Sequence, residues 1–432
     1  MAAPAPLAFV NARLIDPQSG YDGPGSVVIH KGVIADVVRR PDAGELSRDI
    51  RVVDCNGAML APGLVDLRVK TGEPGAETKE TLASAARAAA AGGVTTFVVQ
   101  PDTDPVVDEP SVADFILRRA RDVETARIFP AGAATKGLAG ERMAEIGLLA
   151  EAGCVYITDA DHSIVDSRVL RRILAYSRGH GVLVSHRPND PWLTAGAAAT
   201  ESEFAGRMGL PAAPAEAERI MLERDIALAE LTGAALMVDQ ISTAGALETL
   251  RRAKDRGLPV IATASVNHLS FNELDIGDYR TFCKLTPPLR SEDDRQALIE
   301  ALADGLVDIV VSAHAPAPAE DKRLPYDEAA PGAVGLETLL PALIALHHDD
   351  GPPLLTLLRA VTTAPAKALG RRAALELGQP ADLVLCDIQA PVVVNSDRLL
   401  SKSKNTPFDG RRLQGQVLMT VVGGQVVHRV VE

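Results

Sequence analysis

A chain of 432 residues is long enough for one large α/β barrel with an accessory layer, or for two to three ordinary domains. A 47% apolar share beside 23% charged residues describes a folded soluble protein rather than a disordered one. The 44 basic and 57 acidic residues leave a net charge of −13, which speaks against non-specific binding to nucleic acid or to an anionic membrane surface.

In chain order, residues 7–10, 26–30, 33–38 and 51–54 read as short β-strands separated by Gly, Pro and Asp turn signals. The first seven residues show no basic or long apolar leader, and no uncharged stretch reaches the roughly 18 residues of a membrane span. From residue 61 onward strand-like runs alternate with helical stretches. Strands are predicted over 63–69, 93–100, 234–241 and 259–264, and helices over about 79–91, 112–121 and 244–256. About eight such pairs over 61–374 imply βαβ units closed into a (β/α)₈ TIM-like barrel. From about 375 the β texture returns over 381–387, 417–422 and 426–431, the last two joined by Gly423-Gly424. Chain ends commonly meet in space, so residues 1–60 and 375–432 are expected to build one small β-sandwich domain beside the barrel. Cys55, Cys154, Cys283 and Cys386 form no CxxC pair, which fits a reducing cytoplasm and argues against a disulfide framework or a zinc knuckle. No GxGxxG, P-loop or GxSxG motif is present.

Reacting groups of such a barrel sit at the C-terminal ends of its strands. The first strand runs into Arg68-Val69-Lys70-Thr71-Gly72-Glu73-Pro74-Gly75, followed by Glu77-Thr78-Lys79-Glu80-Thr81 and Gly92-Gly93-Val94-Thr95-Thr96. These segments resemble the opening of dihydroorotases of the aspartate-transcarbamoylase-associated type, in the amidohydrolase superfamily. The likeness continues through Gln100-Pro101-Asp102-Thr103-Asp104-Pro105, Ile241-Ser242-Thr243-Ala244, Pro287-Pro288-Leu289-Arg290, Ala313-His314-Ala315-Pro316, Gly335-Leu336-Glu337-Thr338 and Ser403-Lys404-Asn405-Thr406-Pro407-Phe408.

The resemblance implies zinc, with a first ligand pair from His-x-His, but here that pair is Arg68 and Lys70. A guanidinium or ammonium has no lone pair to give a metal. The His expected before Ser-Thr-Ala is Gln240, and the Asp that would serve as both ligand and general base is Ala313. Asp159 and His186 match two further ligand positions and stand as possible remnants, although His186 reads first as a hydrogen-bonded barrel residue. The positions that the family uses to hold the substrate carboxylate are Gly72, Asp102 and Ala317. Two donors have become small and one neutral amide has become an acid, so a carboxylate should be repelled.

The sequence therefore leads us to expect a cytoplasmic, catalytically inactive dihydroorotase homologue of pyrimidine biosynthesis. It would have no metal cofactor and no nucleic-acid or membrane partner, and it would be oligomeric. The resemblance further implies a role as assembly partner of aspartate transcarbamoylase. One alternative is an active zinc-dependent dihydroorotase or other cyclic amidohydrolase, its rearranged site drawn from Asp159, His186 and His268 or His314. Another is a small-molecule sensor using the old pocket. Arg68 and Lys70, two apart on a strand, share a face. Arg68 is expected at the barrel mouth in a salt bridge with Asp159 or Asp161.

Overall fold

A computed structural model describes residues 5–40, 47 and 49–430. The reading of the N-terminus rests mostly on residues 1–4, which lie outside that set, as does Val431 at the end of the last predicted strand.

Eight parallel strands form the barrel: Leu64–Val69, Val94–Val99, Arg127–Pro130 continued by Gly132–Ala133, Ile157–Thr158, Val184–His186, Leu236–Val238, Val260–Ser265 and Ile309–Val311. The ring closes where the eighth meets the first, through a Val69–His314 bridge and a Lys70 N–H donated to the His314 carbonyl at 2.8 Å. Every residue of the first two strands is buried, as helices outside and side chains inside require of a parallel sheet. Helices Leu82–Ala91, Pro110–Arg121, Ile146–Glu151, Ser167–His180, Glu216–Thr232, Ala244–Asp255 and Glu292–Ala303 follow the first seven strands in turn. Helix Leu82–Ala91 starts three residues later than its apolar pattern suggests because Thr81 caps it. The Thr81 hydroxyl accepts from Ser84 N–H, Ser84 Oγ accepts from Thr81 N–H, and Glu73 takes the Leu82 N–H at 2.9 Å. Among the described residues no helix is long and apolar enough to cross a membrane.

Strands from both chain ends share one mixed eight-stranded sheet, the β-sandwich domain of an amidohydrolase-type fold. Leu7–Asp16, Tyr21–His30 and Val33–Val38 meander antiparallel, and Leu383–Val393, Arg412–Val422 and Gln425–Arg429 do the same from the other end. The element that joins them is Met59–Pro62, which the sequence reading missed. Leu60 of that strand pairs with Leu14 on one side and Leu385 on the other. Four residues ending in proline carry too little alternation to register as a strand. Phe9, Leu14, Leu60, Leu383 and Met419 pack together in this layer, and Arg127 ties the barrel to it through Asp382 at 2.7 Å.

Candidate functional site

The mouth of the barrel holds a cavity of about 400 Å³ whose floor is a cluster of ion pairs. Arg68 leaves the first strand nearly buried, 4% exposed, and its Nε donates to Asp239 Oδ2 at 2.8 Å while Nη2 donates to Asp161. Lys70 points the same way, donating to Asp161 and standing 2.6 Å from Asp102 Oδ2. Arg187, just past the fifth strand, donates to Asp161 as well and to Thr286 Oγ1 at 3.2 Å. With its amide oxygen turned inward, Gln240 accepts from Arg68 Nε at 2.8 Å.

These contacts set the charges. Burial would push the Asp161 carboxyl up, but Lys70, Arg68 and Arg187 together hold it well below the usual carboxylate range. Burial would also lower Arg68, and Asp239 and Asp161 outweigh it, leaving the guanidinium above its ordinary value. Arg187 ends lower than usual because burial exceeds what Asp161 returns.

The expected salt bridge of Arg68 is thus formed with Asp161. Asp159 is a correction: its Oδ1 accepts from Ala134 N at 2.9 Å and Thr135 N at 2.8 Å, and its other oxygen from the Thr135 hydroxyl, so it pins a loop instead of facing the cavity. His186 is not a free ligand either. Its Nε2 accepts from Ile164 N–H at 2.9 Å and its Nδ1 donates to Asp225 at 2.6 Å, which uses both ring nitrogens. His314 is fully buried, accepting from Gly335 N–H at 3.2 Å with its other nitrogen 3.7 Å from Glu80. His268 places Nε2 at 3.2 Å from the Pro288 carbonyl. The rearranged metal site imagined from these residues is not brought together.

Of the three substrate positions, Asp102 is engaged by Lys70, and Ala317 donates its N–H to Asn405 Oδ1 at 3.1 Å. Gly72 sits in a turn so tight that a Cβ there would lie 1.7 Å from the Ala76 carbonyl oxygen. Ala313, where the resemblance calls for a carboxylate, lines the cavity without an ionisable group.

The donor set does not fit zinc. Asp102 and Asp161 carry the protein's own cations, and His186 and His314 each accept a backbone N–H with one ring nitrogen. Among the described residues no three His, Cys, Asp or Glu converge as a metal would require.

Asp239 and Arg187 were not singled out from sequence. Alternation would send Asp239 to the face opposite Gln240, but Gln240 has φ 54° and breaks the strand after Val238, so both side chains reach the mouth. Ala160, between the two candidate acids, and Ala313 are left-handed too, at φ 53° and 51°. Each such non-glycine position costs on the order of 1–2 kcal/mol and persists because its surroundings hold it.

Burial, aided by Arg290, pushes His268 down to about 4. An unfolded His titrates near ~6.5. The neutral ring's contribution is therefore complete above that pH and is lost as pH falls toward 4, amounting to about 3 kcal/mol. Denaturant unfolding at stepped pH should show stability falling through this window, and His268→Asn should flatten the slope. Parallel slopes for the two proteins would refute the assignment.

A dihydro-orotase-like family model matches residues 57–246, and an amidohydrolase family model matches residues 192–427. The chain is 42% identical over 425 residues to a dihydroorotase of Anaeromyxobacter sp. (strain K), covering 98% of each. It is 37% identical to a dihydroorotase of Desulforapulum autotrophicum, covering 98% of this chain and 99% of that one. Among solved structures, L-hydantoinase (dihydropyrimidinase) from Arthrobacter aurescens superposes with TM-score 0.87 at 22% identity, over 98% of this chain and 96% of that one. Dihydropyrimidinase from Brevibacillus agri NCHU1002 gives 0.84 at 21%, over 98% and 95%. At these identities the two structures speak for the fold alone.

Proposed function

Because the chain belongs to the dihydroorotase family of the amidohydrolase superfamily, yet seats its own cations at the barrel mouth, we infer that it neither opens nor closes a cyclic amide and persists as a structural member of that family. One observation carries this reading: the Arg68 guanidinium lies against Asp161 and Asp239 at the centre of the mouth. Hydrolysis of an unactivated cyclic amide needs a strong nucleophile at neutral pH, which a metal supplies by lowering the pKa of bound water to about 7. Nothing at Arg68, Lys70, Gln240 or Ala313 replaces that function or accepts the proton. The partner in this proposal is aspartate transcarbamoylase, supported by the motif resemblance and by a fold whose chemistry has been replaced. Purification of the native complex is expected to recover it in fixed ratio, and a solitary chain would refute the partnership.

A second reading, an active dihydroorotase or related cyclic amidohydrolase, is favoured by the relatives, which are named dihydroorotase at up to 42% identity over nearly the whole chain. Taken alone, the comparisons lean toward it, while the residues of the mouth oppose it. Protein grown with added zinc and assayed in both directions decides between them. We expect turnover of dihydroorotate and carbamoyl aspartate at the uncatalysed background and no stoichiometric metal. About one zinc per chain, with activity that survives removal of host enzyme, would establish the second reading.

A further inference from the structure

A second cavity, of about 850 Å³, lies at the end of the barrel opposite the mouth. Leu183, Ile261 and Ile309 line it, at or beside the starts of the fifth, seventh and eighth strands. Ile309 is fully buried, but Leu183 and Ile261 keep part of their aliphatic surface uncovered. Three cations line it as well: Arg178, Arg359 and Lys367. Each stands in the last turn of its helix, Ser167–His180, Leu354–Val361 and Thr363–Ala368. Position alone would assign them to the negative ends of helices. Arg178 does serve such an end, donating Nη1 to the carbonyl of Thr232, the last residue of helix Glu216–Thr232, at 2.8 Å. Arg359 and Lys367 do not. Both are exposed, and among the described residues neither side chain has an ion pair or a hydrogen-bond partner. Among those residues the one acid lining the cavity is Asp308, and its Oδ2 already accepts from Lys254 Nζ at 2.6 Å and from Ala262 N–H at 2.7 Å. In a chain of net charge −13, this cavity therefore holds uncompensated positive charge beside uncovered apolar surface.

We propose that this cavity binds a nucleoside diphosphate, its phosphates among Arg178, Arg359 and Lys367 and its base against Leu183 and Ile261. Three cations suit an anion of two or more charges, which a diphosphate carries and a monocarboxylate does not, and the arginine fork matches phosphate oxygens. The apolar wall gives contact area to a ring and none to a bare inorganic ion. Gln18, from the turn after the first strand of the β-layer, and Thr363 bring polar side chains to the same cavity, as a sugar requires. A long polyanion is disfavoured, because its charges beyond the cavity would meet an acidic protein. The helix C-termini nearby carry partial negative charge, so all the attraction has to come from the three cations.

ADP without metal is the probe, with adenosine and inorganic pyrophosphate as its two halves. Calorimetry and thermal shift on the full chain are expected to show ADP binding, with a Tm that rises with the logarithm of its concentration. Adenosine and pyrophosphate should each bind at least about tenfold more weakly, since one lacks the charge and the other the apolar contact. Arg359→Ala and Lys367→Ala should each weaken ADP about tenfold. They should leave the Tm of the free protein unchanged, because exposed side chains without partners are removed. The double variant should abolish the shift. Lys79→Ala, at the mouth, should leave ADP binding as it was, which distinguishes the two cavities. No ADP binding at millimolar concentration would overturn the inference. So would pyrophosphate binding as tight as ADP, which marks a bare ion site, or ADP binding undiminished in the double variant. The comparison of ADP with its halves needs no variant. Turnover of dihydroorotate concerns the mouth alone, so the non-catalytic reading and this site stand or fall separately.

Discussion

Replacing Arg68 by alanine is expected to lower the unfolding free energy by about 3–5 kcal/mol, the usual cost of removing one partner from a buried ion pair. The reason is what stays behind. Asp239, 7% exposed at its side chain, loses the cation 2.8 Å away, and Asp161 keeps Lys70 and Arg187 but loses the contact that links it to the first strand. Arg68→Met preserves most of the packing volume and should lose nearly as much, which would assign the effect to charge. Adding Asp239→Asn to Arg68→Met should recover part of the loss, since an amide is far cheaper to bury than an unpaired carboxylate. Urea unfolding of the three variants is the measurement. A loss below about 1 kcal/mol for Arg68→Ala, in the range of exposed pairs, would show that the cluster contributes little. Arg68→His should not bring in zinc, because Lys70, Gln240 and Ala313 still offer no ligand set.

The second large effect is expected at Gly72. A Cβ there meets the Ala76 oxygen at 1.7 Å, the Ala76 carbonyl carbon at 2.5 Å and the Glu80 oxygen at 3.0 Å, all backbone atoms that no side-chain rotation can clear. The turn is closed on itself, with Ala76 N–H donating to the Gly72 carbonyl at 2.5 Å and Gly72 N–H to that of Glu80 at 2.8 Å. Gly72→Ala should therefore cost about 3 kcal/mol, at the upper end for overpacking. Gly72→Arg, which puts a cationic donor at this substrate position, should disrupt the segment rather than build a carboxylate grip. Calorimetric unfolding with orotate titration tests both variants. A Gly72→Arg protein with unchanged Tm and new affinity for orotate would show the turn to be adaptable and the argument wrong.

These two positions also show how far the sequence could be read. The barrel was legible because apolar runs at strand and helix periods do not depend on the residues of the mouth, and the groups at 68, 70, 240 and 313 stand out against the motifs around them. The pairing of Arg68 with an acid followed from burial of a charge. Which acid did not, since Asp159 and Asp161 flank one residue, and only the left-handed Ala160 decides that the first pins Thr135 and the second faces the cavity. Asp239 stayed hidden for the same reason. Period-two alternation holds only while the backbone is extended, and the mouth is where these strands stop being extended. The closed turn at Gly72 left no trace beyond a glycine in a Gly- and Pro-containing stretch.

The short strand Met59–Pro62 has a consequence for how the chain acquires its shape. Its partners are Arg13 and Leu14 on one side and, on the other, residues 383–386, more than 300 positions later. Barrel strands pair mostly with neighbours in sequence, so that part can assemble while the ribosome is still working. The sheet cannot: until the last fifty or so residues emerge, one edge of Met59–Pro62 presents unpaired backbone groups to whatever is nearby. Loops of that length also close slowly, so sheet completion should be the late event of folding. A chain cut short before Leu383 would keep that edge bare, and it would be prone to pairing with its own copies.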